Sequence, residues 1–233
     1  MTYTEVSLKQ TLGALSPFSQ LPAAALEKLA SSSQRLRYRI GQPMLRQESM
    51  PHQLIVIEEG KGRLLGYDPY QKTPMTLTLL EAGAVLGLAS LVRGVPCESA
   101  IASSEVVAVV VPIYAVQQLM GEHERFAQSV ASRCYLAEVF DLVSQYYKAQ
   151  ARSVSDLADT ARELQAQAIA TTLGSGQVRL SDRDPHRLWF VSSDSIPTQP
   201  VGSWLLPEMF DGRINCQANT RLIGIDMRRL VAQ

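Results

Sequence analysis

Three cysteines, Cys97, Cys134 and Cys216, and three histidines, His52, His123 and His186, are the side chains best suited to nucleophilic, redox or metal chemistry. They are scattered. An odd number of dispersed cysteines does not make a disulfide framework, and no Cys/His group has metal-ligand spacing. Cys97 has no histidine near it in sequence, so a small buried or loop thiol is its expected state. Asp182, Asp184 and Asp194 surround His186 and read as a solvated turn. No acid, base and nucleophile set is visible, so the chain is expected to be non-enzymatic. No cofactor is implied.

Composition narrows the remaining classes. The 233 residues carry 22 Lys+Arg and 22 Asp+Glu, a formal net charge of zero. A nucleic-acid surface normally needs a basic excess, so no nucleic-acid partner is expected. A polybasic membrane anchor is disfavoured for the same reason. No stretch approaches the roughly 20 apolar residues of a spanning helix, and no signal peptide opens the chain. A soluble, cytoplasmic protein is the expectation. The length suits one large domain or two small ones.

These side chains must be positioned by two kinds of segment. Residues 7–15 read as a short helix, and Pro22 with Leu26 and Leu29 opens an amphipathic one. From Arg35 the apolar period shortens to two. Leu36–Ile40, Leu54–Ile57, Gly62–Leu65, Thr76–Leu79, Ser99–Ala102 and Val106–Val111 read as short strands between turns, as in an antiparallel barrel or jelly roll. From Ile113 to about Leu173 the period is helical, through Val116, Leu119, Phe126, Val130, Val139, Phe140 and Val143. Ser153–Asp156 offers a cap for a further helix. Strands return at Val178–Leu180, Leu188–Val191, Trp204–Leu206, Ile214–Ala218 and Leu222–Ile225. Trp189 and Trp204 are expected in a core. The face of 116–143 suits either a core or a homo-oligomeric coiled-coil seam.

The two strand regions resemble each other. Gly60–Leu64 is similar to Gly176–Leu180, Thr76–Leu79 stands where Trp189–Ser192 stands, and Ala102–Val109 is similar to Ala218–Ile225. The second copy reads as shortened. The expected fold is therefore α+β: a mainly antiparallel β-barrel or jelly roll over residues 1–118, a helical connector over 119–173, and a second, partial barrel-like unit over 174–233. An incomplete second unit needs its open edge covered by the connector, a second copy or another partner.

Ser16-Pro17-Phe18, Leu21-Pro22, Leu26, Leu29-Ala30, Tyr38, Gly41, Glu59-Gly60, Arg63, Gly83 and Gly87 resemble the cyclic-nucleotide-binding domain family. The resemblance covers about half of the chain. It implies a ligand cassette between two late strands, in which backbone N–H groups at a helix start and an Arg guanidinium grip a cyclic phosphate, while a Glu accepts from the ribose. In this chain the candidate cassette residues are Gly87, Leu88, Ala89, Ser90, Glu98 and Ser99. Gly87 matches the glycine, Leu88 falls where the ribose Glu is expected, and Glu98 falls where the phosphate Arg is expected. A carboxylate there repels a phosphate where an Arg contributes about 2 kcal/mol. Glu98 reads as a ligand for a basic or amide group, a surface carboxylate or a helix-dipole partner. Arg93 reads as a solvated loop residue.

The run Leu91–Glu98 with Trp189–Ser193 further resembles the N-terminal regulatory region of cyanobacterial peptidase-containing ABC exporters. That resemblance implies a regulatory module with a degenerate pocket, placed at the cytoplasmic face of a membrane, with the transporter body or a second copy as protein partner. The chain itself carries no Walker motif and no peptidase Cys/His arrangement. A sensor of a small molecule other than cyclic AMP or cyclic GMP is the alternative. A transcription regulator of the same superfamily ranks below both, because the sequence after Gly174 reads as strands where a helix-turn-helix is needed.

Overall fold

The computed structural model describes residues 7–179, 184–205 and 213–231. Two short helices come first, α1 (Leu8–Gly13) and α2 (Ala23–Ser31). The strands of the first barrel follow: β1 (Gln34–Tyr38), β2 (Pro43–Leu45), β3 (Gln53–Glu59), β4 (Gly62–Tyr67), β5 (Pro74–Leu80) and β6 (Val85–Leu86). A one-and-a-half-turn helix, α3 (Leu88–Arg93), leads into β7 (Ser99–Ala102) and β8 (Val106–Pro112). These strands form two antiparallel sheets, β1-β8-β3-β6 and β2-β7-β4-β5. This is the jelly-roll arrangement that the short alternating strands predict.

Burial follows the two-residue period, but on both faces. Ile55, Ile57, Ala108 and Val110 point into the barrel with Leu64, Leu77 and Leu86. Their neighbours Leu54, Val56, Val109 and Val111 point out, against Leu12, Phe18 and Leu29 of the N-terminal helices and against the helices after the barrel. Strands buried on both faces read as apolar runs rather than as clean alternation, which is the pattern of Leu54–Ile57 and Val106–Val111.

The helical stretch is broken into α4 (Ile113–Glu122), α5 (Glu124–Ala131), α6 (Leu136–Ala149) and α7 (Leu157–Gln165). Asp156 caps α7 by accepting from the Asp159 amide. Of the two readings of the 116–143 face, the core holds for these residues: Val116, Leu119, Phe126 and Val130 pack on the outer face of the first sheet, and Val139, Phe140 and Val143 join the core that α6 shares with the barrel and the second sheet. One expectation is corrected here: the helical stretch ends before Leu173. Residues Ile169–Leu173 are a strand, β9, because Ile169, Thr171 and Thr172 are β-branched and pair with a later strand.

After β9 come β10 (Gly176–Arg179), β11 (Arg187–Val191), β12 (Trp204–Leu205), β13 (Arg213–Cys216), β14 (Thr220–Asp226) and the terminal helix α8 (Met227–Val231). Their main sheet is ordered β9-β14-β11-β12, the order of β1-β8-β3-β6. The register agrees as well. Ile55 faces Val110 on one side and Leu86 on the other. Trp189 likewise faces Gly224 and Leu205. Gln53 opposite Pro112 corresponds to Arg187 opposite Asp226, and a helix begins at the next residue in each case, Ile113 and Met227. The small sheet β10-β13 takes the place of β2-β7. Counterparts of β4 and β5 are missing among the described residues, where the chain runs from β11 to β12 through residues 192–203.

The equivalences read from sequence are corrected accordingly. β10 stands in the place of β2 rather than β4, and β11 in that of β3 rather than β5. Strands of equal alternation resemble one another in any order, so similarity alone cannot choose the partner. The pairing of Ala102–Val109 with Ala218–Ile225 found the right strands, two residues out of register. Leu180, Asp182 and Arg183, with Leu206, lie outside the described residues.

Candidate functional site

The cassette lies between β6 and β7. Gly87 has φ 96°, a left-handed conformation that L side chains rarely adopt. A Cβ on it would also come within 2.9 Å of Leu54 Cδ2. The glycine lets the chain turn tightly from β6 into α3, so the first amides of the cassette converge on one point. That point is occupied by the chain itself. The Gly87 N–H donates to Glu98 Oε1 at 3.0 Å, the Ser90 N–H to Oε2 at 3.1 Å, and the Ser90 hydroxyl to Oε2 at 3.2 Å. The Ser90 hydroxyl in turn accepts from the Cys97 amide at 3.2 Å, which fixes the strand entrance next to Glu98.

Glu98 is 6% exposed, which corrects the reading of it as a surface carboxylate. It is a helix-start partner in a buried setting. Burial raises its pKa, and the hydrogen bonds from Ser90 and Gly87 pull it back, leaving it above the ordinary carboxylate value. Chemically, the carboxylate stands where an anionic ligand would accept from the same donors.

The other candidates divide. Gly87, Ala89, Ser90 and Glu98 come together. The side chain of Leu88 points the other way, into the cluster of Leu12, Phe18 and Leu54, so no acceptor for a ribose hydroxyl stands there. Ser99, the first residue of β7, follows Glu98 and so faces the opposite side. Its hydroxyl accepts from the Gln47 amide at 3.1 Å and pins the loop before β3.

Arg93 is the main correction. It is not solvated: its side chain is 0% exposed. Its Nε donates to the Ser192 carbonyl oxygen at 3.0 Å, and its Nη2 donates to Asp141 Oδ2 at 2.7 Å. The last residue of α3 is thus tied to α6 and to the end of β11. Cys97 beside it is buried, as expected. Burial pushes its thiol up to about 12; Arg93 opposes the shift and Glu98 adds to it.

Helix α6 closes the barrel mouth. Its residues 137–140 and 142–144 are all buried, the pattern of a helix covered on opposite sides. Toward the barrel, Phe140 lies against Gly66: a Cβ there would meet the ring at 2.4 Å. A cavity of about 400 Å³ remains beside it, with Leu65, Gly66, Leu77, Cys97, Phe140 and Asp141 in its wall. Toward the second sheet, Tyr146 packs edge-on against Phe190 and Trp204, with ring centroids 5.7 and 5.2 Å apart. Trp204 is only half-buried, whereas Trp189 is a core residue as expected. Gly224 opposite Trp189 leaves room for the ring, which a Cβ would approach to 2.7 Å.

A second buried pair went unseen in the sequence. Glu138 of α6 is 0% exposed and Arg221 of β14 is 3% exposed. Arg221 binds the carboxylate through Nε and Nη2 at 2.6 and 2.9 Å. It also donates to the Ala131 and Arg133 carbonyl oxygens. The Ser192 hydroxyl donates to Glu138 Oε1 at 2.5 Å. Nothing in the composition marks such a pair, since its partners lie 83 residues apart.

Residues 35–123 match the family described as cyclic nucleotide-binding domain. No curated protein matches the chain. Among solved structures, the chain is similar to a putative cyclic nucleotide-binding protein from Geobacter metallireducens GS-15, at 21% identity over 54% of this chain and 89% of that one, with a TM-score of 0.45. It is similar to the regulatory domain of Toxoplasma gondii PKA, solved with cAMP, at 10% identity over 97% and 91%, with a TM-score of 0.48. It is also similar to the sensor domain of the transcriptional regulator DNR from Pseudomonas aeruginosa, at 16% identity over 64% and 99%, with a TM-score of 0.45. Two antiparallel sheets, an intervening cassette helix and helices packed outside them, with the family match over residues 35–123, make this an α+β chain of the cyclic-nucleotide-binding-domain-like fold.

Proposed function

We propose that this chain is a non-enzymatic regulatory module whose cassette is closed on its own Glu98, so that it acts through protein contacts rather than as a receptor for cyclic AMP or cyclic GMP. The supporting observation is the carboxylate held by the Gly87 and Ser90 amides and the Ser90 hydroxyl. A cyclic phosphate reaching these donors meets a carboxylate, has no Arg to pair with, and finds Leu88 where the ribose needs an acceptor. Like charge and lost partners act in the same direction.

In this reading the barrel and its helices are one unit, and the strands from β9 onward are a second, partial one. Helix α6 is the wall between them. The effector is the one implied by the exporter resemblance, the body of an ABC-type transporter. Co-purification of the two from solubilised membranes supports that assignment, and an exporter that assembles and works unchanged without this chain removes it.

The cavity beside Phe140 favours a second reading, a sensor of a small molecule of another kind, because about 400 Å³ lies in the range of small-molecule sites. Amide NMR separates the readings. If the cassette is closed, cyclic AMP leaves the Gly87 and Ser90 amide resonances in place, while Glu98→Gln moves both. Saturable movement of those resonances with cyclic AMP overturns the closed cassette. Saturable movement confined to Leu65, Leu77 and Cys97 with another compound selects the sensor.

A further inference from the structure

We infer that the second sheet latches α6 over the mouth of the first barrel, and that releasing the latch opens the barrel without unfolding the chain. Two buried arginines grip neighbouring positions on one face of α6, Glu138 and Asp141, three residues apart. Arg93, from the cassette helix, holds Asp141 and the Ser192 carbonyl oxygen. Arg221, from β14, holds Glu138, which also accepts from the Ser192 hydroxyl. Ser192 is the node: its carbonyl oxygen serves one arginine and its hydroxyl serves the partner of the other. The five residues connect α3, α6, β14 and the end of β11.

Between Glu138 and Asp141 on the same helix stands Phe140, the side chain that plugs the mouth against Gly66 and Leu77. The gripped residues and the plug therefore move together. If α6 lifts, Phe140 leaves the mouth and Cys97, now buried in the wall of the adjoining cavity, becomes open to solvent. Charged groups are seldom buried for stability alone, because apolar residues of the same size often serve as well. A network that converges on the residues flanking a plug suits a two-position element. The network includes neither Glu98 nor the amides that hold it. The latch therefore stands or falls separately from the closure at Glu98.

The chain carries its own reporters. Cys97 lies under α6, Cys216 lies in the separate core of Trp189, Leu205 and Leu222, and Cys134 is half-exposed between α5 and α6. Rates of thiol alkylation at each cysteine, read by mass spectrometry on the native full chain, distinguish local opening from unfolding. Glu138→Gln weakens the grip of Arg221 and Asp141→Asn that of Arg93; the second is half-exposed and keeps the test open should the first not fold. The latch requires Cys97 labelling to rise about tenfold or more in either variant, with Cys216 labelling unchanged. A rise at Cys97 and Cys216 in step means that the network only holds the fold together. No rise at Cys97 in a folded variant means that it does not hold the plug. Either result overturns the inference.

Discussion

At the scale of single residues, the chain places charges where their partners are backbone groups or one buried counterion. Glu98 is the clearest case. Its carboxylate accepts from three donors, yet burial leaves its pKa above the ordinary 4.5. The folded state then holds the proton more tightly than the unfolded one. This group's share of stability is fully present below 4.5 and is lost as the pH rises through the folded value. Amide shifts of Gly87 and Ser90 followed against pH should therefore titrate with a midpoint above 4.5, and a midpoint at or below it contradicts the burial argument. The Glu138–Arg221 pair behaves differently, because each partner alone is an uncompensated buried charge. Arg221→Met should cost about 3–5 kcal/mol in urea unfolding. Adding Glu138→Leu to it should recover part of that loss, since the isolated carboxylate goes as well. Much of this was hidden in the sequence. The exchange of an Arg for Glu98 and the apolar Leu88 could be read from position. That Arg93 is buried could not, because its partners Asp141 and Ser192 are distant along the chain and nothing local marks them.

At the scale of elements, α6 carries the organisation. Its sequence shows the helical period of one apolar face, and that much was legible. What the period does not disclose is that the polar residues between the apolar ones, Glu138 and Ser144, are also buried, because a second sheet covers the other side. The break into separate helices at His123 and at residues 132–135, and the change to a strand at Ile169, were likewise missed. The apolar spacing continues across the last two points with no proline or glycine to interrupt it, whereas Gly121, two residues before His123, is a local signal for the first. The packing of α6 on the barrel is tight at one spot. Gly66→Ala pushes a methyl into the Phe140 ring and should cost about 1–3 kcal/mol. Phe140→Leu combined with Gly66→Ala should then cost less than the two separate losses added together. Additive losses by chemical denaturation mean that the ring and the glycine are not in contact.

At the scale of the whole molecule, the fold class was legible because short strands between turns leave a strong period-two pattern, and the resemblance anchored it on glycines at fixed places. The presence of a second strand region was legible too, but its internal order was not. Pairing of distant strands is set by which faces must be covered, and β10, β11 and β12 look alike as isolated runs. The structure resolves this through register: Trp189 opposite Gly224 and Leu205 stands as Ile55 opposite Val110 and Leu86 stands in the first sheet. The whole reads as a barrel closed on itself in two ways, by a carboxylate in the cassette and by Phe140 in the mouth. The most direct measurement is calorimetric titration of the full chain with cyclic AMP and with cyclic GMP, up to about 1 mM nucleotide. A closed cassette gives no saturable heat with either. A saturable one-to-one isotherm with micromolar affinity contradicts it.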